Sequence, residues 1–146
     1  MTAAAVEGSG DLATALRALL AGVDGADDGA LPALILPALI LIPSGDITAV
    51  LGRVRAMPSP ATVIVVDGAA TPPFDAHLLL AAIEPLAIEA APQRRISAVH
   101  ASPNADPADV AAATAFLLRA ISVTGQIIRI DPRITDPRIT DAVQHG

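Results

Sequence analysis

The segment Thr62-Val-Ile-Val-Val66 runs without a charged residue and is β-branched at every position. A half-solvated strand alternates apolar with polar side chains, so this one is expected to be covered on both faces, as parallel strands are. Helical spacing flanks it on either side. Ile47, Val50, Leu51 and Val54 follow Ser44 and Asp46 and are closed off by Pro58 and Pro60, which predicts a capped and terminated helix. From Asp75 to Ala90, Leu78, Leu79, Ala82, Ile83, Leu86 and Ile88 repeat at helical intervals, with a kink expected at Pro85. Strands that alternate with helices make the chain α/β.

The same alternation extends outward. Asp11 is placed to cap a helix to Val23 carrying Leu12, Leu16, Leu19 and Leu20, and the Gly- and Asp-rich stretch 24–29 reads as a loop. A strand with apolar residues on both faces is expected around 34–42, its bounds blurred by prolines. Ile96 to His100 reads as a strand and Ser102-Pro103-Asn104 as a turn. Asp106, Pro107 and Asp109 then open a helix with Val110, Ala113, Phe116 and Leu117 on its inner side. Gly125 marks the turn into a last strand, Gln126 to Ile130, and Asp-Pro-Arg-Ile-Thr occurs twice in the tail. The expected architecture is a doubly wound, Rossmann-like parallel sheet of about four or five strands, with right-handed crossovers and helices on both faces. It would occupy residues 1–130, followed by an extended tail over 131–146.

Charge and composition exclude several functions. A formal net charge of -6 disfavours nucleic acid and anionic membrane surfaces, which attract clustered cations. Every cation is arginine and cysteine is absent, so lysine Schiff bases, P-loop lysines, thiol nucleophiles and cysteine metal sites are excluded. The longest apolar run, 30–43, is broken by Pro32 and Pro37 and is shorter than the roughly 20 residues that span a bilayer. The chain opens on an acidic flank interrupted by Gly8 and Gly10, unlike a signal peptide, and a cytoplasmic location is expected.

The segment Asp106-Pro-Ala-Asp-Val-Ala-Ala-Ala-Thr-Ala-Phe-Leu-Leu, then Ile121-Ser-Val-Thr-Gly-Gln-Ile-Ile-Arg-Ile-Asp131, resembles the end of short-chain dehydrogenases/reductases. There an acidic "asp-val-ala" helix leads through "tyr-val-thr-gly-gln" into a strand ending "val-asp-gly-gly". Thr124, Gly125, Gln126 and Asp131 match, while Pro132-Arg133 replaces the paired glycines. Upstream, Leu86-Ala-Ile-Glu89-Ala-Ala-Pro92 and Arg95-Ile-Ser-Ala-Val99 are similar to the family's "leu-ala-x-glu-leu-ala-pro" helix and "arg-val-asn-ala-val" strand. The resemblance runs from about Thr62 to Asp131.

Carried onto this chain, the resemblance places Asp67 or Gly68 where the family has its catalytic serine, Phe74 at its tyrosine and Leu78 at its lysine. The tyrosine hydroxyl would move the proton and the lysine would hold the cofactor ribose. Phenylalanine and leucine can do neither. No alternative register helps, because the chain contains no Tyr and no Lys. Gly8 and Gly10 are the remaining candidates for a dinucleotide loop, without a third glycine. No cofactor is therefore expected on this chain, NAD(P) entering only through a partner subunit, and no metal is expected.

The resemblance also implies association. The long helix would pack across one dyad through Leu79, Ile83 and Leu86. The last helix and strand would pack across another through Phe116, Gln126, Ile128 and Ile130, with an intact dehydrogenase or a second copy as partner. A sheet keeping only the family's later strands would expose an apolar edge, to be covered by residues 2–6 or by another chain. The expected role is a non-catalytic subunit that supports or regulates an active short-chain dehydrogenase. The alternative is a small-molecule or nucleotide-binding enzyme reusing the crevice through Asp67, His77 and His100. The simpler reading of Asp67 is a strand-end turn, of Asp75 and His77 a helix first turn, and of Ser102 an ordinary turn. Arg94 and Arg95 read as a solvated helix end, and Arg133 and Arg138 as partners for a neighbouring acidic subunit.

Overall fold

The computed structural model describes residues 5–24 and 38–134. In chain order the elements are β1 (Ala5–Glu7), α1 (Asp11–Asp24), β2 (Ala38–Leu41), α2 (Ile47–Ala56), β3 (Ala61–Asp67), α3 (Pro73–Ala90), β4 (Arg95–Ala101), α4 (Pro107–Arg119) and β5 (Ile127–Ile130). The five strands form one sheet in the order β1-β2-β3-β4-β5, and every neighbouring pair is parallel. The expected strand over 34–42 is realised as β2; residues 34–37 lie outside the described residues, as does the tail beyond 134.

Why both faces are covered follows from β3. Its side chains alternate, so Ala61, Val63 and Val65 enter one apolar layer with α1 and α4, while Ile64 and Val66 enter the other with α2 and α3. Val63, Ile64, Val65 and Val66 are all buried, the pattern that the uninterrupted β-branched run predicts. This is the expected three-layer α/β fold. The crossovers need correcting. The connections through α3 and α4 advance in the same direction across the sheet yet lie on opposite faces. Two such connections have opposite hands, so only one of them is right-handed. The apolar face formed by Val63, Val65 and Val99 is what draws α4 to the side of α1.

The apolar edge expected beside β2 is paired by the chain itself, Ala5, Val6 and Glu7 lying opposite Leu39, Ile40 and Leu41. Helix α3 runs unbroken through Pro85. Proline removes one intrahelical bond, and because Pro85 is exposed, the carbonyl it frees can face solvent. Asp46 and Asp106 cap α2 and α4 through Thr48 and Ala108 amides, as their positions before the helices imply. No described helix is long and apolar enough to cross a membrane.

Arg94 and Arg95 depart from the solvated helix end expected of them. The Arg94 guanidinium donates to the carbonyls of Val54 at 2.8 Å and Ser59 at 3.1 Å. Arg95 donates to Leu117, Leu118 and Ala120 carbonyls at 3.2, 3.3 and 2.9 Å. Arg94 immediately precedes β4 and Arg95 opens it, and the pair reaches the carboxyl ends of α2 and α4, one on each side of the sheet, where unsatisfied carbonyls and the helix dipole favour a cation. Burial lowers the Arg95 pKa without removing its charge. Arg95→Ala is expected to cost ~2 kcal/mol in chemical denaturation, since it strands several partly buried carbonyls; a change under ~0.5 kcal/mol would mean that water replaces the guanidinium freely. Arg133, expected to seek a neighbouring subunit, instead donates to both carboxylate oxygens of Asp109 in its own chain, each at 2.9 Å, and holds that carboxyl below its usual range.

One buried polar atom is unmatched. Thr62 is buried in β3, and its Oγ1 has no hydrogen-bond partner among the described residues. Thr62→Val keeps the shape and removes the unmet hydroxyl, so a stabilisation of ~1 kcal/mol is expected. A loss of stability on thermal denaturation would show that the hydroxyl is satisfied after all.

Candidate functional site

Parallel α/β sheets bind ligands beyond the carboxyl ends of their strands, where Glu7-Gly8, Ile42, Asp67-Gly68, Ser102 and Asp131 stand. At the β1 and β2 ends a cavity of about 300 Å³ is lined by Glu7, Gly8, Ile42, Ser44, Val50 and Arg53, among others. Its charged walls satisfy each other, Arg53 Nε donating to Glu7 Oε1 at 3.0 Å.

Gly8 and Gly10 do form a strand-loop-helix with β1 and α1, at φ +139° and +102°. A Cβ on Gly8 would lie 2.8 Å from the Ile42 Cβ and 2.9 Å from the Ile42 carbonyl oxygen. The glycine is therefore explained by the close approach of the β1 and β2 ends. Glu7 and Asp11 flank the loop in the sequence, and Arg17 is turned onto the Gly8 and Val6 carbonyls at 2.6 and 3.2 Å.

At the end of β3, Asp67 accepts the Ala69 amide on its carboxylate at 3.0 Å and the Ala70 and Thr71 amides on its carbonyl at 3.1 and 2.8 Å. It builds the turn into α3. Gly68 donates its amide to the Ala101 carbonyl at 2.7 Å, and a Cβ at Gly68 would sit 2.6 Å from that oxygen and 3.0 Å from Pro103 Cδ. No side chain fits without moving the end of β4. Phe74 and Leu78, at the positions matched to tyrosine and lysine, are 72% and 40% exposed on the first turns of α3.

The three ligand candidates are not assembled into one site. His100 is in register with Val66, and Asp67 with Ala101. Ala101 belongs to the layer of α1 and α4 and Val66 to that of α2 and α3, so strand alternation sends Asp67 and His100 to opposite faces. His77 is exposed on α3. No hydrogen bond joins any two of them, and no group of three metal-ligating side chains occurs among the described residues.

The polar cluster that does form involves Ser102, Arg129 and Asp131. Ser102 Oγ donates to Asp131 Oδ1 at 2.6 Å, and Arg129 Nε donates to the same oxygen at 2.9 Å. The Ser102 hydroxyl first and Arg129 second hold the Asp131 carboxyl below its usual range. So stabilised, Asp131 is a poor base for activating serine, and the cluster ties the β4 and β5 ends together. The terminal motif singled out Asp131, but its contact with Ser102 spans a crossover and follows only from the pairing of Ala101 with Ile130.

The residues expected at interfaces divide. Leu79, Ile83 and Leu86 are buried against the chain's own sheet and cannot also face another subunit. Ile128 and Ile130 are half-buried against the core, while Phe116 and Gln126 are exposed. The apolar residues that α3 presents outward are Phe74, Leu78 and Ile88. Apolar residues on both the inner and the outer side of α3 blur its periodicity, so the resemblance named the helix while the side it turns outward came from the packing.

A family model described as short chain dehydrogenase-like protein matches residues 44–130, from the turn before α2 to the end of β5. No curated protein matches the chain. The match spans more than half of the sequence and covers α2 through β5, with the three strands β3, β4 and β5, and the chain belongs to the short-chain dehydrogenase-like family.

Proposed function

We propose that this chain is a non-catalytic member of its family, a subunit that oligomerises with an active short-chain dehydrogenase/reductase and supports or regulates it. The observation that carries the reading is chemical: the sequence holds no tyrosine and no lysine. The family's proton transfer needs a hydroxyl of tunable acidity and a cation beside it. Phe74 and Leu78 supply neither, and the close approach of Gly68 to Ala101 leaves no room for a serine at that position. NAD(P) then belongs to the partner, in keeping with the carboxylates that flank the Gly8–Gly10 loop.

Outward-facing apolar side chains support the docking half of the reading. Phe74 and Ile88 on α3, and Phe116 on α4 with Ile121 and Ile127 near β5, are all exposed, large apolar side chains on two sides of the sheet that a docked partner would cover. The reading in which the crevice performs other chemistry through Asp67, His77 and His100 gains no support from a geometry that separates them.

Affinity capture of the tagged chain from its native host, with mass spectrometry and mass photometry of the complex, tests this directly. Recovery of an intact short-chain dehydrogenase in fixed stoichiometry is expected. Recovery of the chain alone would overturn the reading.

A further inference from the structure

Helices α2 and α4 each end on a guanidinium from their own chain, Arg94 for the first and Arg95 for the second. Both also carry arginine in the last turn. Helix α3 has no basic residue there. Arg55 reaches this turn but is taken up by the Glu89 carboxylate at 3.1 and 3.3 Å, and Pro92 has no N–H to give the Ile88 carbonyl four residues before it. No guanidinium donates to a carbonyl of α3 among the described residues. The negative end of its dipole is therefore unmatched where the other two are met.

Against this end lies a cavity of about 340 Å³, lined by Glu84, Ile88, Ala91, Gly125 and Gln126, among others. It opens at the amino end of β5, away from the crevice at Asp67 and Ser102. The Glu84 carboxylate and the Gln126 carboxamide are exposed and make no ion pair or side-chain hydrogen bond among the described residues. Gly125 stands at φ +74°, and a Cβ there would meet the Ala87 Cβ at 3.4 Å, so the glycine keeps the floor of the cavity open.

We propose that this cavity binds an organic cation with an apolar stem, a guanidinium or ammonium group on a short alkyl chain. Sign decides the head. An anion would face both Glu84 and the negative end of α3, whereas a cation gains a charge-assisted bond from the carboxylate and the attraction of the dipole. The amide oxygen of Gln126 offers a further acceptor. The stem follows from the apolar wall, where Ile88 is 70% exposed and an alkyl chain covers it as the stem of an arginine would. Such a ligand does for α3 what Arg94 and Arg95 do for α2 and α4. The same chemistry is carried by a free alkylguanidine or alkylamine and by a basic side chain of a docked protein. The inference goes beyond the proposed function and stands without it.

Butylguanidine titrated into the full chain and followed by NMR tests the site. Binding on the order of millimolar is expected, with the amide signals of Glu84, Ile88 and Gln126 shifting together. Glu84→Gln should weaken it about tenfold. Methylguanidine, which lacks the stem, should bind several-fold more weakly, and pentanoate, with the same stem and the opposite charge, should not bind. Gln126→Arg supplies a cation from the chain itself, so it is expected to abolish binding and to raise the melting temperature. Unchanged affinity in a folded Glu84→Gln variant, pentanoate binding as tightly as butylguanidine, or shifts confined to another surface would overturn the proposal. Adding butylguanidine to the affinity capture separates the two sources: release of a captured dehydrogenase identifies a side chain of the partner, and undisturbed capture a free ligand. Capture of no dehydrogenase would remove the subunit reading and leave the NMR result standing.

Discussion

Gly68→Ser is expected to destabilise the chain by ~3 kcal/mol, near the upper end of overpacking costs. The new Cβ would lie 2.6 Å from the carbonyl oxygen of Ala101 and 3.0 Å from Pro103, and a backbone oxygen cannot rotate aside as a side chain can. That same carbonyl accepts the Gly68 amide, so relieving the clash also breaks the bond that joins the β3 and β4 ends. Gly52→Ser is the control, because a Cβ at Gly52 meets nothing within 4 Å and its change should stay within about 0.5 kcal/mol. Equal urea midpoints for the two variants would show that the approach at Gly68 is looser than described. The consequence reaches function. With no room for a serine at Gly68, restoring Phe74→Tyr and Leu78→Lys returns two side chains to a site where the third could stand only at Asp67.

Ile83→Ala and Ile88→Ala should separate the two sides of α3. Ile83 is fully buried between the helix and the sheet, and truncating it removes apolar contact and leaves a cavity, an expected loss of ~3 kcal/mol. Ile88 is 70% exposed, so its truncation should change the stability of the isolated chain by less than ~0.5 kcal/mol while weakening the complex with its proposed partner. Denaturation at low concentration reads the first effect and mass photometry the second. Were Ile88→Ala the more damaging of the two to a monomer, the orientation of α3 would be wrong.

Much of the fold was legible because local signals agreed with one another. The run at Thr62–Val66 demanded cover on both faces and received it, and Asp46 and Asp106 stand before helices that they cap. What spacing could not convey was the outcome of competition between elements far apart in sequence. The sequence does not say that α4 crosses on the face opposite α3, because that depends on which apolar face of the sheet remains bare. The double arginine at 94 and 95 looks solvated until both faces of the sheet are covered and unpaired helix carbonyls appear on either side. Within the candidate site, the loss of hydroxyl and ammonium groups was readable from composition alone. The Ser102–Asp131 tie was hidden because a crossover separates its members, and the divergence of Asp67 from His100 required the β3–β4 register.

The most direct measurement of the central claim is the activity of the captured dehydrogenase with and without this chain, alongside NAD(P)H turnover by the chain alone on a panel of carbonyl substrates. The account predicts no turnover by the chain alone and a fall in the activity or thermal stability of the partner once the chain is removed. Turnover by the chain alone, or a partner indifferent to its loss, would contradict it.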